Sequence, residues 1–454
     1  MGTDPPTRND AGSGAGEVTG TAAVVGTTAV AATSMVAGAG SGAEARSDAG
    51  SGARLGELAL ADFRPRSMLR VPHHLIERPR YPVIDAHNHL GEAFGGDWSR
   101  RPPGELVATL DAAGVAAIVN LDGGQGDHLS AEIERWRPAG QDRVIVFAGL
   151  DYDAWSADPV FGETEARRLR DSAARGARGL KVWKLLGLRA RDPEGRLVAI
   201  DDPRLDPLWA AAAALRLPIV IHIADPIAFF EPLDASNERW EELHDHPDWH
   251  FWPTRPPGRT DAPGFPPFDE LLAAFARLVA RHPGTTFIGA HVGCAAEDLG
   301  LVGDLLDANP NLSVDIAARL GELGRQPHTA RAFFLRHADR ILFGVDMAPD
   351  PEIYRLHYRF LETFDESFDY GIEATPGQGR WQIHGLGLPD EVLRKVYATN
   401  AARLLGIPEP GGSAVTGSGA GPGSGAGARP DSSAHADSSA HPDSPAHPDS
   451  GVAR

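Results

Sequence analysis

Between about Tyr81 and Leu405, short runs rich in β-branched residues alternate with longer stretches whose apolar residues recur at helical spacing. That alternation is the pattern of βα units around a parallel sheet. Eight runs are present: Pro82 to His87, Val115 to Leu121, Val144 to Leu150, Gly179 to Lys184, Pro218 to Ala224, Thr285 to His291, Asn311 to Ile316 and Arg340 to Asp346. Helical patterns follow them, as at Asp206 to Arg216 behind the fourth, Asp269 to His282 behind the fifth and Glu391 to Leu405 at the end. Eight parallel units favour a closed barrel over an open sheet, because closure leaves no strand edge unpaired. The predicted fold is a (β/α)8 TIM barrel, a single domain over residues 52–408 with a lid-like insertion at 226–268.

The flanks read differently. Residues 1–51 are Gly, Ala, Ser, Thr and Val without lasting periodicity, and 409–454 settle into a six-residue unit with Asp431, Asp437, Asp443 and Asp449 in step with His435, His441 and His447. Neither flank offers the large apolar residues that offset the entropy of ordering, so both are expected to be disordered tails. The mildly apolar stretch from Val18 to Gly40 follows Asp4, Asp10 and Glu17 with Arg8 as its basic residue, the wrong preface for a signal peptide. No run of about 20 strongly apolar residues exists, so no membrane partner is expected.

Charge and cysteine usage narrow the partners. A formal net charge of -19, with no Lys/Arg-rich stripe, repels phosphate backbones and argues against nucleic acid. The single cysteine, Cys294, excludes an intrachain disulfide and fits a cytoplasmic protein. Its neighbourhood holds no separate base, so it reads as a small packed thiol rather than a nucleophile. A small-molecule substrate is the expected partner, and a homodimer remains open.

Polar residues interrupt the apolar runs almost entirely at their C-terminal ends: His87 and His89, Asp151, Lys184, His222 and Asp225, His291, Asp315 and Asp346. In barrels that end carries the active site. In Ile84-Asp85-Ala86-His87-Asn88-His89 the two imidazoles lie two positions apart, on one face of a strand. His222, His291 and Asp346 each close an apolar strand, where burial without a strong partner costs several kcal/mol. A divalent metal is one such partner.

These residues resemble the amidohydrolase superfamily, within it the amidohydrolase-related branch that includes aminocarboxymuconate-semialdehyde decarboxylase and related lactonases. The resemblance spans about Phe63 to Leu405 and rests on His87-Asn88-His89, His222, His291 and the Asp346 of Phe343-Gly344-Val345-Asp346. Tyr397-Ala-Thr-Asn-Ala-Ala-Arg-Leu-Leu looks like that branch's usual last helix. The resemblance implies that His87, His89 and His222 ligate the metal and that Asp346 is a ligand or general base. It also implies that His291 polarises the substrate or completes the metal shell. Three neutral nitrogens and a carboxylate suit Zn2+, with Mn2+ as an alternative. Some members bridge two metals with a carbamylated strand-four lysine, a role for which Lys184 is the better placed of Lys181 and Lys184; an ion pair or a substrate carboxylate are its other uses.

Substrate contacts are expected from the insertion, with Trp240, Trp249, Phe251 and Trp252 over a planar or apolar substrate. His244, His246 and His250 in the same segment read as solvated. Arg319, beyond strand seven, is placed to bind a substrate carboxylate bidentately. The expected function is a metal-dependent hydrolase acting with activated water on an amide, lactone or ester-like bond. A metal-dependent non-oxidative decarboxylase, or lyase, of a carboxylated aromatic or unsaturated acid is the alternative, and a non-catalytic metal-binding barrel a second. Composition also generates a test of the tails: deleting residues 1–51 and 411–454 should leave metal content and thermal midpoint nearly unchanged. A fall in midpoint of more than a few degrees would mean that one of them docks on the barrel.

Overall fold

The computed structural model describes residues 67–91, 97–140, 142–251, 264–372 and 377–411. The tails expected to be disordered therefore lie, apart from 409–411, outside the described residues, as does Trp252 of the insertion.

All eight expected strands form, and all pair in parallel. They are β1 (Val83–Asn88), β2 (Val115–Asn120), β3 (Val144–Val146), β4 (Leu180–Val182), β5 (Ile219–Ile221), β6 (Phe287–Gly289), β7 (Leu312–Asp315) and β8 (Ile341–Leu342). The ladders run β1-β2-β3 and β4-β5-β6-β7-β8. Backbone hydrogen bonds bridge the two seams. Ala148 pairs with Leu180 between β3 and β4, while Ala86 N donates to Phe343 O at 2.9 Å and Asp346 N to His87 O at 2.9 Å between β8 and β1. The TIM barrel is thus closed, which also explains why several strands are shorter than their apolar runs: the run ends pair only locally at the seams or turn into the site.

The principal helices alternate with the strands: α1 (Pro103–Ala113), α2 (Gly126–Trp136), α3 (Phe161–Arg175), α4 (Asp206–Leu215), α5 (Phe268–Arg281), α6 (Leu299–Ala308), α7 (Pro327–Arg336) and α8 (Pro351–Glu362). Proline at the first or second position opens α1, α4, α7 and α8, where its missing N–H is not needed. Gly114 and Gly176 close α1 and α3 in the left-handed conformation. The last helical run, Asp390–Arg394, Lys395–Thr399 and Asn400–Leu405, carries a π turn in its middle.

Alternate strand residues divide into two packed sets. Ile84, Ala117, Val119, Ile145, Phe147, Val220, Ile288 and Leu342 form one cluster, joined by Ala398, Ala401 and Leu405 of the last helix. Val83, Val115, Ile118, Leu180, Val182, Ile219 and Ile221 point the other way, into the larger cluster shared with the helices. Lys181 lies between Leu180 and Val182 and opposite Val220, which places a lysine on the inner face.

Among its described residues the insertion holds one short helix, Trp240–Asp245, and two 3-10 turns, Ile227–Phe229 and Pro247–Trp249. Ion pairs pin it to the segment after β7. The buried Arg239 lies between Glu242 and Glu322, and Arg325 grips both oxygens of Glu238 at 2.7 and 2.9 Å. His250, expected to be solvated, is buried, its Nε2 2.6 Å from Glu231 O.

Helix packing is tight where α3 meets the turn before α4. A Cβ at Gly162 would stand 1.8 Å from Arg204 O and 2.7 Å from its carbonyl carbon, both backbone atoms that cannot swing aside. Gly162→Ala should destabilise the barrel by about 1–3 kcal/mol through overpacking. The check is a lowered denaturant midpoint at unchanged slope; an unaltered midpoint would mean that α3 backs away at no cost.

Candidate metal centre and cleft

The local fold of β1 explains how both histidines reach one point. Asp85 is opposite Ile118 and Asn88 opposite Asn120, so three steps on β1 match two on β2. This bulge changes the alternation. Ile84 and Ala86 face inward, Asp85 turns outward to accept from Tyr354 Oη on α8 at 2.7 Å, and His87, the next residue after Ala86, again points inward. Asn88 then points outward to Asp85, with Nδ2 2.9 Å from its carboxylate, and His89 returns to the centre.

Each imidazole is set by its Nδ1. His87 Nδ1 donates to Asp315 Oδ2 at 2.8 Å, His89 Nδ1 to Asp122 Oδ1 at 2.6 Å, and His291 Nδ1 to the carbonyl of Ala317 at 2.9 Å. A carbonyl can only accept, so His291 carries its proton on Nδ1 and presents the Nε2 lone pair. The three Nε2 atoms surround Asp346: His87 is 3.8 Å and His89 3.6 Å from Oδ1, and His291 is 3.7 Å from Oδ2. Burial holds the imidazoles of His87 and His291 well below their usual pKa, with neighbouring cationic groups adding to the effect, which keeps both neutral.

The carboxylates are equally constrained. Burial raises the pKa of Asp346, and Asp346 Oδ1 has no hydrogen-bond partner among the described residues. Burial also pushes Asp315 up to about 6, against hydrogen bonds from the His291 and Ala317 amides at 2.9 and 3.1 Å. Backbone strain accompanies this. His291, Val292 and Cys294 have φ of 58°, 59° and 63°, and Ala318 and Asp346 have 54° and 53°. A β-branched residue such as Val292 rarely takes that conformation, and such strain gathers at functional sites.

The donor set fits a divalent cation. Ligand atoms of His87, His89 and Asp346 lie within 4.8 Å of one another, as do those of His87, His291 and Asp315. An unpartnered buried carboxylate oxygen beside the imidazole nitrogens of His87 and His89 calls for a cation. His222 is close by, its ring 4.4 Å from that of His291, but its Nε2 faces Ala224 O at 3.0 Å and Asp225 Oδ1 at 3.4 Å, and it belongs to neither group.

Two residues that sequence reasoning passed over complete the centre. Lys181, fully buried, places Nζ 3.1 Å from His87 Nε2. Its signal was the alternation of Leu180-Lys181-Val182, which points it inward, whereas Lys184 lies past the strand and pairs with Asp225. Asp122, one residue beyond the second apolar run, holds His89 and accepts from Gly91 N at 2.8 Å. Cys294 is buried, its thiol pushed up to about 11 by desolvation, in keeping with a packed and unreactive side chain.

Beside Asp346 opens a cleft of about 1000 Å³ including the part open to solvent. Phe229, Trp249, Leu320, Met347 and Leu356 supply its apolar wall, and Arg319 and Lys184 line it as well. Of the insertion's aromatics, Trp249 reaches the cleft with His246 stacked on it at 3.8 Å, Trp240 is exposed, and Phe251 is buried against Phe230.

The partners that aim the imidazoles yield a test. Asp315→Asn and Asp122→Asn each weaken the orientation of one ring, and outer partners of this kind are typically worth about 10- to 100-fold in metal affinity. Both variants should show that loss in a chelator competition with the fold intact by circular dichroism. Affinity equal to wild type in both would mean that neither His87 nor His89 holds the ion.

No curated protein matches the chain. Among solved structures it is similar to a 2,6-dihydroxybenzoate decarboxylase from Rhizobium, at 17% identity over 72% of this chain and 99% of that one with a TM-score of 0.43. It is also similar to a dihydroxybenzoic acid decarboxylase from Polaromonas, with manganese and the inhibitor 2-nitroresorcinol bound, at 16% identity over 72% and 97% of the two chains with a TM-score of 0.45. An amidohydrolase from Burkholderia multivorans gives 14% identity over 72% and 100% with a TM-score of 0.41. No helix among the described residues is long and apolar enough to cross a membrane. A sequence model of the amidohydrolase family matches residues 84–407, the span that carries every residue of the centre, and the chain therefore belongs to that family of divalent-metal-dependent enzymes.

Proposed function

We propose that the protein is a hydrolase that cleaves an amide, lactone or ester-like bond of a small organic substrate with water, and that His87, His89 and Asp346 hold the ion it needs. The observation that carries this reading is Asp346 Oδ1, buried without a partner and 3.8 and 3.6 Å from two imidazole nitrogens. Zn2+ suits neutral imidazoles and a carboxylate best, with Mn2+ the alternative. Bound there, the ion supplies Lewis acidity to water and to the carbonyl under attack.

The chain's own groups do the proton work. Asp346, whose carboxyl burial makes more basic than usual, accepts one from the attacking water and returns it to the leaving group. His291, with Nδ1–H spent on Ala317 O, offers a lone pair rather than a proton, so it would complete the ion's shell rather than polarise the carbonyl. His222 would join that shell only if its ring turned from Ala224 O. The apolar wall and the described residues of the insertion line the cleft beside the reacting groups.

A screen of lactones, amides and hydroxybenzoate-type acids with Zn2+- and Mn2+-loaded protein should give hydrolysis products; release of CO2 from the acids instead would replace hydrolysis by decarboxylation. Two variants separate the roles. Asp346→Asn keeps the size and one oxygen donor, so metal should remain while kcat falls by about 10²- to 10⁴-fold. His87→Ala should lose metal itself. An Asp346→Asn protein that keeps both metal and near-normal turnover would move the base to another residue.

A further inference from the structure

The cleft wall carries three cations, Lys184, Arg239 and Arg319, and two of them are already matched. Lys184 is paired with Asp225. Arg239 lies between Glu242 and Glu322, two carboxylates for one guanidinium. Asp346, the remaining acid of the wall, faces the imidazoles. Arg319 differs. It is 5% exposed, Nη1 donates to the carbonyl of its neighbour Ala318 at 2.8 Å, and no carboxylate among the described residues pairs with it. Its other N–H groups are not among the fully buried polar atoms, so they open on the cleft they help to line.

A guanidinium held nearly out of water without a counter-ion is costly, and its planar fork matches a carboxylate in two parallel hydrogen bonds. An acidic chain with carboxylates around its cleft would ordinarily favour a cationic ligand. Here Asp225 is engaged with Lys184 and Glu242 with Arg239, and Arg319 is the cation of the wall that no carboxylate among the described residues meets at ion-pair distance.

We infer that the substrate is a monoanion: a molecule with an apolar body that lies against Phe229, Trp249 and Leu320 and with one carboxylate, distinct from the bond cleaved, seated on Arg319. This rests on the hydrolytic reading for the bond cleaved but not for the anchor. An ester, lactone or amide without a free acid would leave the guanidinium unmatched, and a cationic substrate would be repelled by it.

Titration calorimetry on the metal-loaded full chain tests this without turnover, so a failure of the hydrolytic reading leaves it standing. Benzoate, benzamide and benzamidinium serve as probes of one shape and three charges. Benzoate should bind roughly ten- to a hundredfold more tightly than benzamide, the range expected for hydrogen bonds to a charged group. Arg319→Gln should remove that difference while leaving benzamide binding as in wild type, and Arg319→Lys should restore part of it. A crystal of the wild-type protein with benzoate should place the carboxylate on the guanidinium, which decides the matter even if the Gln variant does not fold. The inference is overturned if benzamidinium binds more tightly than benzoate, if Arg319→Gln binds benzoate like wild type, or if the carboxylate sits on the metal and away from Arg319.

Discussion

The carboxylate of Asp315 is the contact on which the centre depends. One oxygen takes the Nδ1–H of His87 from β1; the other takes the amide of His291, just past β6, and that of Ala317, two residues on from itself. Three segments of the barrel are thereby fixed to one side chain. In a dry interior such a group is stable only when its lone pairs are filled, and the requirement works in both directions. Asp315 orients the imidazole, and the imidazole with the two amides makes burial of Asp315 tolerable.

The same contact helps to explain the strain beside it. Residues 291–294 form a turn of left-handed backbone, with Val292 and Cys294 in a conformation that costs an L residue roughly 1–2 kcal/mol each. Their side chains are fully buried in the core, the thiol donates to Ala290 O at 3.4 Å, and the His291 amide is held by Asp315. Packing and hydrogen bonds together offset the strain. The turn carries His291, whose Nε2 lies 3.7 Å from Asp346 Oδ2.

How far the site was legible in the sequence follows from which forces are local. His87, His89, His291 and Asp346 could be found because each is polar at the end of an apolar run, and the barrel brings such ends together. The β1 bulge could not be found, since it depends on the register with β2 and leaves no mark in the composition of β1. Lys181 was visible in the period of its strand, but a charged residue inside a barrel runs against the expectation of an apolar interior, and Lys184 drew the attention instead. The Nε2 of His222 is turned toward Ala224 O by a contact within its own loop, which spacing does not reveal. Asp122 lies just outside the repeating pattern, so its grip on His89 emerges only from the fold.

The insertion ties these features to recognition. Glu322 lies three residues from Arg319 on the same segment, and would be its natural counter-ion. It is instead drawn to Arg239, which the insertion carries into the wall and already pairs with Glu242. Among the described residues Glu322 Oε2 has no hydrogen-bond partner, and Arg319 donates Nη1 to Ala318 O and meets no carboxylate. The ion pairs that hold the insertion to the segment after β7 therefore also occupy Glu322, and Arg319 lines the cleft without a carboxylate at ion-pair distance. Holding the insertion in place and setting the charge of the cleft are one arrangement of side chains, not two.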